Sequence, residues 1–388
     1  MGGHRVSAYR KLGSAPIRHR RGIVREEAIS ARQFTALALF VTIGDSLVIL
    51  PGTMVSLAKQ DAWLSMLVGL AAGLPVILLF LAVHARGAAA SPVVKLKRIC
   101  GPWFGGLFIL PYIAFSLFLS AGSMRILGDF MITQIMPETP GTAVVALLLI
   151  VAAAAIRGGV EAFARAGEVL LLCFLFVFFF FILTLVPQVD FHRLLPVCEN
   201  GPGPVAHGGL LSLAFCFIEI MPLMMLMPHV KANSRKEMRR ALLIGAIAGA
   251  CALLIVTLLC ITVLGPGHAE RHMYPTYTLA KKISVGSFLE RVEAMIAFMW
   301  IISTFMKLGV NLFAVHLGLA QWIGSRSYRT LSVPVAAVTL ALAANFTDNM
   351  AYFNHIVTLA WPIYDLTMLF VPLFLLGLLL VRKAGKRG

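Results

Sequence analysis

Ten apolar stretches, each long enough to cross a lipid bilayer, fill the chain from Phe34 to Val381. A helix that spans the hydrocarbon core takes about 20 residues. Two of the stretches carry an acid near mid-membrane depth, Asp45 in the first and Glu219 in the sixth. Such an acid is unfavourable in lipid unless it is protonated, paired or hydrated, so it marks a binding site or a proton path. The pairing predicts a transporter-like site.

The composition excludes an ordinary soluble domain. Of the 388 residues, 59% are hydrophobic and only 13% are charged, and the mean hydropathy is +0.89. These values are typical of an all-α, polytopic membrane protein, here with ten transmembrane helices. The predicted spans are Phe34–Leu57, Ala62–Val83, Phe104–Met131, Thr142–Ile156, Val169–Val186, Gly209–Met227, Ala241–Leu264, Val292–Ala320, Leu331–Phe346 and Ile356–Val381.

The positions of the cations explain the net charge of +16 without a nucleic-acid partner. Most of the 33 Lys and Arg residues fall in alternate loops and both tails, and six fall in the other loops. The positive-inside rule therefore places both termini in the cytoplasm. The predicted parts are a basic tail (1–33), a permease-like domain (34–381) and a second basic tail (382–388). The first tail is a topology determinant or, alternatively, a contact with anionic membrane lipid.

The two halves of the chain resemble each other. The two mid-membrane acids lie 174 residues apart, and two close-packing motifs, Gly69-xxx-Gly73 and Gly245-xxx-Gly249, lie 176 apart. An odd number of helices, five, gives the second half the opposite orientation in the membrane, so the predicted repeats, 34–187 and 208–381, are inverted. Inverted five-helix repeats with broken helices 1 and 6 are the plan of LeuT-like transporters.

Both acids lie beside helix breakers. Gly44 precedes Asp45, and Pro222 follows Glu219. Glycine and proline free backbone groups that then need a ligand, water or a side chain. The acids are therefore either structural carboxylic acids bonded to the broken backbone, or groups that relay a proton or contact a ligand amine.

Polar residues recur at helical spacing on two further spans and so share a face. On span three they are Tyr112, Ser116, Ser120 and Ser123; on span eight they are Trp300, Ser303, Thr304, Lys307 and Asn311. A buried ammonium needs an acid or carbonyl groups. LeuT-like folds have a cation site between helices 1 and 8, and by that resemblance Lys307 replaces a bound sodium ion. The alternative is a structural pair with Asp45 or Glu219.

Other charged residues within spans have simpler interpretations. Arg125 and Asp129 are four residues apart and predict a local ion pair, as does the series Arg157, Glu161 and Arg165 at an inner turn. Asp365 shares a face of span ten with Trp361 and is a weaker pocket candidate; a structural acid shielded from lipid is the favoured role.

Several strings resemble one family in the same order along the chain. Arg157-Gly158-Gly159-Val160-Glu161-Ala162-Phe163-Ala164-Arg165 resembles the R-x-G-x-E-x-x-x-R stretch of spore germination receptor B subunits, the GerAB type. The strings at 29–34, 59–64, 274–277, 288–293, 300–302 and 305–307 resemble that family as well. The resemblance runs from about Ile29 to Ile363.

This resemblance implies a permease of the amino acid, polyamine and organocation superfamily that senses a small nutrient germinant such as an amino acid. Such subunits act beside an A subunit and a C subunit in the inner membrane of the dormant spore. The implied ligand-binding residues come from helices 1, 3, 6 and 8: Gly44, Asp45, Tyr112, Ser116, Glu219, Ser303 and Thr304. Glu219, Lys307 and Asp45 are the candidates for ion or proton coupling.

The main alternative is a proton-coupled amino-acid transporter, because a sensor and a transporter need the same site chemistry. A zwitterionic ligand is expected, since half-helix N-termini favour a carboxylate and acids favour an amine. An enzyme is not predicted, and neither is a cofactor or metal. The sequence has no Gly-rich phosphate loop, metal-ligand cluster or Gly-x-Ser-x-Gly elbow.

Overall fold

The computed structural model of the chain describes residues 27–86, 90–231, 234–282, 292–347 and 350–384. Most of the predicted N-terminal tail, the end of the C-terminal tail and most of the string at 288–293 lie outside these residues. The α-helices are α1 (Ala31–Ile43), α2 (Ser46–Ala58), α3 (Ala62–Ala85), α4 (Pro92–Phe130), α5 (Gly141–Gly158), α6 (Val160–Leu185), α7 (Pro202–Phe217), α8 (Arg235–Leu259), α9 (Pro266–Ala269), α10 (Pro275–Lys281), α11 (Val292–Ile323), α12 (Ser332–Ala344), α13 (Met350–His355), α14 (Trp361–Met368) and α15 (Phe370–Ala384).

Short segments connect or extend these helices. The 3₁₀ segments are Lys59–Asp61, Val186–Gln188, Phe191–Leu194, Ile218–Met225, Met227–His229 and Tyr328–Leu331, and the π-helical turns are Met131–Ile135, Cys260–Leu264 and Ile356–Ala360. Two-residue strands, β1 (Ile29–Ser30) and β2 (Val230–Lys231), pair in parallel. The described chain is therefore mostly helical, as the composition predicts.

Eight helical segments of the described chain are long and apolar enough to cross a membrane, and two shorter apolar helices, Ala31–Ile43 and Tyr328–Ala344, accompany them. The prediction of ten spans differs for two reasons. The first predicted span is divided between α1 and α2, and α2 continues through a 3₁₀ turn into α3. The ninth predicted span is the short helix around α12, whose α-helical part has only 13 residues.

The chain leaves regular α-helical geometry beside both mid-membrane acids. Gly44 ends α1 with φ of 34° and ψ of −126°, and α2 begins at Ser46. Residues with positive φ are rare unless they are glycine, because a Cβ atom clashes with the backbone there. Further along, α7 ends at Phe217, and Glu219 lies at the start of the 3₁₀ segment Ile218–Met225. Pro222 lies inside that segment, where it removes a backbone donor.

The two glycine motifs allow two helix pairs to pack closely. A Cβ atom on Gly73 of α3 would lie 2.2 Å from the Phe217 ring of α7. A Cβ atom on Gly245 of α8 would lie 2.5 Å from the Thr35 carbonyl oxygen of α1. In the first pair, α3 of the first half packs against α7 of the second half. In the second pair, α8 of the second half packs against α1 of the first half. Two related repeats would produce such reciprocal packing.

Several predicted spans start later in the chain than the helices that contain them, and the fifth span shows the reason. Helix α6 begins at Val160 rather than at Val169. Its first turns contain Glu161 and Arg165, which form an ion pair one turn apart. Ion pairs at this spacing stabilise a helix outside the apolar region, so the helix is longer than its hydrophobic stretch.

Replacement of Gly245 by Ala is expected to lower the free energy of unfolding by roughly 1–3 kcal/mol, because the new methyl group meets fixed backbone atoms. Thermal unfolding of the detergent-solubilised protein measures the loss. Gly377→Ala is the matched control, since a Cβ atom on Gly377 has nothing within 4 Å. Equal midpoints for the two variants would contradict the close packing of α8 on α1.

Candidate functional site

Three charged side chains meet in the interior where the helix interruptions lie. Lys307 of α11 is fully buried, and its Nζ donates to Oδ1 of Asp45 and to Oε2 of Glu219. Only 2% of the Asp45 side chain and 1% of the Glu219 side chain are exposed. We call Asp45, Glu219 and Lys307 the ion cluster. It joins the break between α1 and α2, the 3₁₀ segment after α7, and α11.

Each carboxylate of the ion cluster has a second partner. The Ser123 hydroxyl of α4 donates to Oδ2 of Asp45 at 2.5 Å. The indole N–H of Trp361 on α14 donates to Oε1 of Glu219 at 2.9 Å. All four carboxylate oxygens therefore accept a hydrogen bond. Buried ionised groups are tolerated only when they are paired and hydrogen-bonded in this way.

The carbonyl groups freed by the interrupted helices are bonded by side chains of the protein. Ser303 Oγ lies 2.8 Å from the Gly44 carbonyl oxygen, and the Trp300 indole N–H donates to the Asp45 carbonyl at 3.2 Å. The Tyr112 hydroxyl donates to the Met221 carbonyl at 2.9 Å. Unpaired backbone groups are expensive in an apolar interior. These side chains therefore take the role that a ligand or water would otherwise have.

The absence of a side chain at Gly44 leaves the space that the Lys307 side chain occupies. A Cβ atom there would lie 2.2 Å from Cδ of Lys307 and 3.1 Å from its Cβ. The aliphatic part of Lys307 therefore packs directly on the helix break. The ammonium group lies between the break that separates α1 from α2 (predicted span one) and α11 (predicted span eight). LeuT-like folds have a cation site between the corresponding helices.

The formal charges of the ion cluster do not balance. Two carboxylates and one ammonium group carry a net charge of −1 when all are ionised. A dry interior disfavours an uncompensated charge. One more positive charge, from a proton or a ligand ammonium group, would make the cluster neutral.

Aromatic side chains cover one side of the ion cluster. The Phe130 ring at the end of α4 meets the rings of Tyr274, Tyr277 and Trp300 edge to face, with centroids 5.1, 5.1 and 4.6 Å away. The Thr276 hydroxyl of α10 donates to the Leu47 carbonyl of α2 at 3.0 Å. Edge-to-face aromatic pairs add packing energy beyond their buried area. This aromatic cap closes the predicted outer side.

A second polar cluster lies at the predicted cytoplasmic end, beside a cavity of about 700 Å³. Glu27 accepts hydrogen bonds from the Val160 N–H at 3.1 Å and the Tyr328 hydroxyl at 2.7 Å, and it pairs with Arg329. Burial raises the pKa of the Glu27 carboxyl, but these three hydrogen bonds outweigh it and hold the pKa below its ordinary value of 4.5. Glu27 thereby connects the segment before β1 to α6 and to the segment before α12.

Three residues of the R-x-G-x-E-x-x-x-R string, Arg157, Gly159 and Glu161, lie against different partners. The guanidinium Nε of Arg157 donates to the Ser332 hydroxyl at 2.8 Å, while Glu161 pairs with Arg165. The prediction of a continuous local ion-pair series was wrong for Arg157, whose side chain reaches α12. Gly159 has φ of 96°, and a Cβ atom there would lie 2.7 Å from Glu27 Oε1.

The predicted ligand-binding residues divide into two groups. Gly44, Asp45, Tyr112, Glu219 and Ser303 take part in the contacts around the ion cluster. Two others do not. Ser116 Oγ donates to the carbonyl of Tyr112 in its own helix at 3.1 Å. The Thr304 hydroxyl is buried and has no hydrogen-bond partner among the described residues.

Three contacts could not be read from the sequence. Ser123 belongs to the polar stripe on span three, but nothing in the stripe distinguishes it as the partner of Asp45. Trp361 adds span ten to the site; its shared face with Asp365 is predicted, but nothing in the sequence identifies Glu219 as its partner. Glu27 lies in a charged segment before the first helix, where acids are common.

The comparisons with known proteins agree on family and fold. A sequence model of the Spore_permease family, described as spore germination protein, matches residues 28–351. Spore germination protein KB of Bacillus subtilis (strain 168) is 30% identical over 357 residues, which are 89% of this chain and 93% of that protein. Spore germination protein XB of Bacillus anthracis is 24% identical over 65% of this chain and 70% of its own length.

Two solved transporter structures show the same fold. MhsT in complex with L-phenylalanine has a TM-score of 0.68, with 14% identity over 89% of this chain and 89% of that chain. Mhp1, a nucleobase-cation-symport-1 family transporter, has a TM-score of 0.62, with 11% identity over 86% of this chain and 75% of that chain. The predicted LeuT-like fold is therefore confirmed.

Gly44→Ala is expected to destabilise the protein far more than Gly101→Ala. Both glycines have positive φ, so alanine strains the backbone at either position, but a Cβ atom on Gly101 has nothing within 4 Å. The Gly44 variant must displace Lys307 and leave two buried acids without their cation, a loss of about 3–5 kcal/mol. Thermal unfolding of both variants measures the difference, and equal losses would rule out the steric link to Lys307.

Glu27→Gln is expected to lower stability at neutral pH and to have a shrinking effect as the pH falls. Because the folded pKa of Glu27 lies below 4.5, its stabilisation is present above that pH and is lost as the pH falls through the folded pKa. The test compares unfolding of the wild type and the variant between neutral and acidic pH, with Glu138→Gln at an exposed loop position as control. A difference that grows toward acidic pH would contradict this assignment.

Proposed function

Because the chain belongs to the Spore_permease family of spore germination proteins, we propose that it is the membrane-spanning B subunit of a spore nutrient germinant receptor. The observation that carries the proposal is the 30% identity to spore germination protein KB over 89% of the chain. In this function the protein binds a small germinant at the ion cluster and thereby triggers germination. Several apolar helices in the described chain support a multi-pass membrane protein.

The charge of the ion cluster supports a germinant with an amine. One further cation balances two carboxylates and one lysine, and an ammonium group has the hydrogen-bond donors to contact both acids. The Lys307 ammonium group contacts both acids in this structure, so a ligand ammonium group would share the two carboxylates with it.

The start of α2 supports a carboxylate on the same germinant. This 13-residue helix begins at Ser46, and its N-cap residue, Asp45, makes no side-chain bond to the first turn. The Ser46 hydroxyl is buried and has no partner among the described residues. Free N–H groups and the helix dipole attract an anion at such a terminus. An amino acid is the ligand class that combines both groups.

Binding at this site requires the packed side chains to separate. The protein's own hydroxyl and indole groups fill the positions around the breaks, so a ligand must replace hydrogen bonds such as those of Ser303 and Trp300. A ligand that binds the opened arrangement better shifts the population toward it. The inverted repeats 34–187 and 208–381, supported by the glycine-motif packing, are the units that would move relative to each other.

We also propose the partner subunits, the membrane and the orientation in which the chain acts. The B subunit acts with an A subunit and a C subunit in the spore inner membrane, and both of its termini face the cytoplasm. The distribution of Lys and Arg along the sequence supports this orientation.

A proton-coupled amino-acid transporter is the second candidate, because the fold is shared with MhsT and Mhp1. Uptake of labelled amino acids into proteoliposomes separates the two functions: a sensor binds without accumulation. If uptake occurs, Lys307→Met tests the replacement of a sodium ion by lysine. Uptake that becomes dependent on sodium in this variant supports the replacement, and unchanged ion dependence contradicts it.

Deletion of the gene is expected to abolish germination with one nutrient, and Glu219→Gln is expected to restore little of the response. The variant keeps the shape of Glu219 but removes the charge that binds Lys307. Loss of optical density of native-host spores over an amino-acid panel measures the response.

The control for this experiment is Glu138→Gln at an exposed loop position, which should complement fully at equal protein level. Strains with every other receptor deleted exclude redundancy. If the deletion strain then germinates like its parent with every nutrient, the receptor function is wrong. If Glu219→Gln complements fully, the ion cluster is not the germinant site.

A further inference from the structure

A third acid lies beside the ion cluster. Asp365 on α14 is fully buried, and neither of its carboxyl oxygens has a hydrogen-bond partner among the described residues. It follows Trp361 by one helical turn, about 6 Å along the axis. Trp361 is the residue whose indole N–H holds Glu219. Helix α14 also packs against the 3₁₀ segment Ile218–Met225, which carries Glu219.

Aromatic groups surround this turn of α14. The Trp361 ring stacks on Phe215 with centroids 5.5 Å apart and also contacts Phe118 at 4.9 Å. The Tyr364 ring, beside Asp365 in sequence, contacts Phe115 at 5.8 Å. A bound metal ion needs several oxygen ligands, which these rings do not provide. A proton needs only the carboxyl oxygen itself.

The titratable side chains on the neighbouring elements offer Asp365 no cation of its own. Tyr112 of α4 and Cys216 of α7 face the interior and are ordinarily neutral at pH 7. His207 of α7 contacts the Thr358 carbonyl oxygen. At the far end of α4, Arg125 pairs with Asp129 at 2.8 Å. The other cations on these elements bond elsewhere: Lys95 and Lys97 of α4 donate to backbone carbonyls of α3 and α11, and Arg382 of α15 donates to the carbonyl of the exposed Arg98. Lys307 of α11 already pairs with both Asp45 and Glu219.

The charge state follows from these contacts. An ionised carboxylate that lacks both hydrogen bonds and a cation is strongly disfavoured in a dry interior, whereas the neutral acid loses only a hydrogen bond. Ionised Asp365 would also bring the net charge of the four groups to −2. A proton on Asp365 keeps it at −1.

We propose that Asp365 is a proton-binding site of this protein: a carboxylic acid that carries its proton at neutral pH and releases it when the ion cluster gains a positive charge. A ligand ammonium group beside Glu219 would supply that charge. The O–H bond of Asp365 then breaks and the proton leaves to water. The ligand ammonium thus replaces the proton, and the net charge of the site stays at −1. This coupling rests on the proposed amine-bearing germinant, whereas the protonated state does not.

The protonated state is tested by infrared difference spectroscopy on the purified full-length protein at neutral pH. The wild type minus Asp365→Asn spectrum is expected to show the C=O band of one protonated carboxylic acid and no carboxylate bands. The side chains have nearly the same shape, so the fold should persist, and thermal unfolding checks it. Asp129→Asn is the control and should remove carboxylate bands, because Asp129 pairs with Arg125. Carboxylate bands in the Asp365 difference spectrum would overturn the proposal.

Coupling is tested by the nutrient response of spores as a function of pH. Asp365→Asn mimics the protonated acid permanently, so its response is expected to lose the pH dependence of the wild type. Identical pH profiles would overturn the coupling. If the wild type answers no nutrient at any pH, the receptor function has failed, while the infrared band still decides the protonated state.

Discussion

One buried ammonium group shared by two carboxylates holds the centre of this protein together. Lys307 reaches Asp45 at the break between α1 and α2 and Glu219 after α7. A broken helix exposes backbone groups to an apolar interior, so interruptions at two places are stable only with compensating contacts. The ion pairs fix the two breaks against α11. Hydrogen bonds from Ser303, Trp300 and Tyr112 then bond the freed carbonyl groups.

In this arrangement the site is closed. The groups that would bind a small zwitterion instead bind one another, and the aromatic cap around Phe130 covers them on one side. At the opposite end Glu27 joins three segments beside a cavity of about 700 Å³. A ligand opens such a site only by stabilising another arrangement better than this one. The sensor and transporter functions differ in the fate of the ligand after the site has opened.

The sequence predicts the charged centre well and its surroundings less well. Charged groups inside apolar spans are so unfavourable that Asp45, Glu219 and Lys307 stand out, and pairing is one of the few ways to accommodate them. The hydrogen bonds of Ser116 and Ser123 show what the spacing of polar residues does not predict. Both lie on one face of α4, but they are about 10 Å apart along its axis, and only Ser123 lies at the depth of Asp45, while Ser116 bonds its own helix. Trp361 contacts a residue 142 positions away and Glu27 one 301 positions away, and local spacing does not encode such contacts.

The central claim is that Lys307 stabilises the fold by pairing with both buried acids. Its most direct test is the free energy of unfolding of Lys307→Met compared with that of the triple variant Lys307→Met, Asp45→Asn, Glu219→Gln. Removing only the lysine should destabilise the protein by about 3–5 kcal/mol, because two buried acids lose their partner. The triple variant, which buries no charge at these positions, should regain most of that loss. If Lys307→Met is as stable as the wild type, or if the triple variant regains nothing, the ion cluster does not hold the centre together.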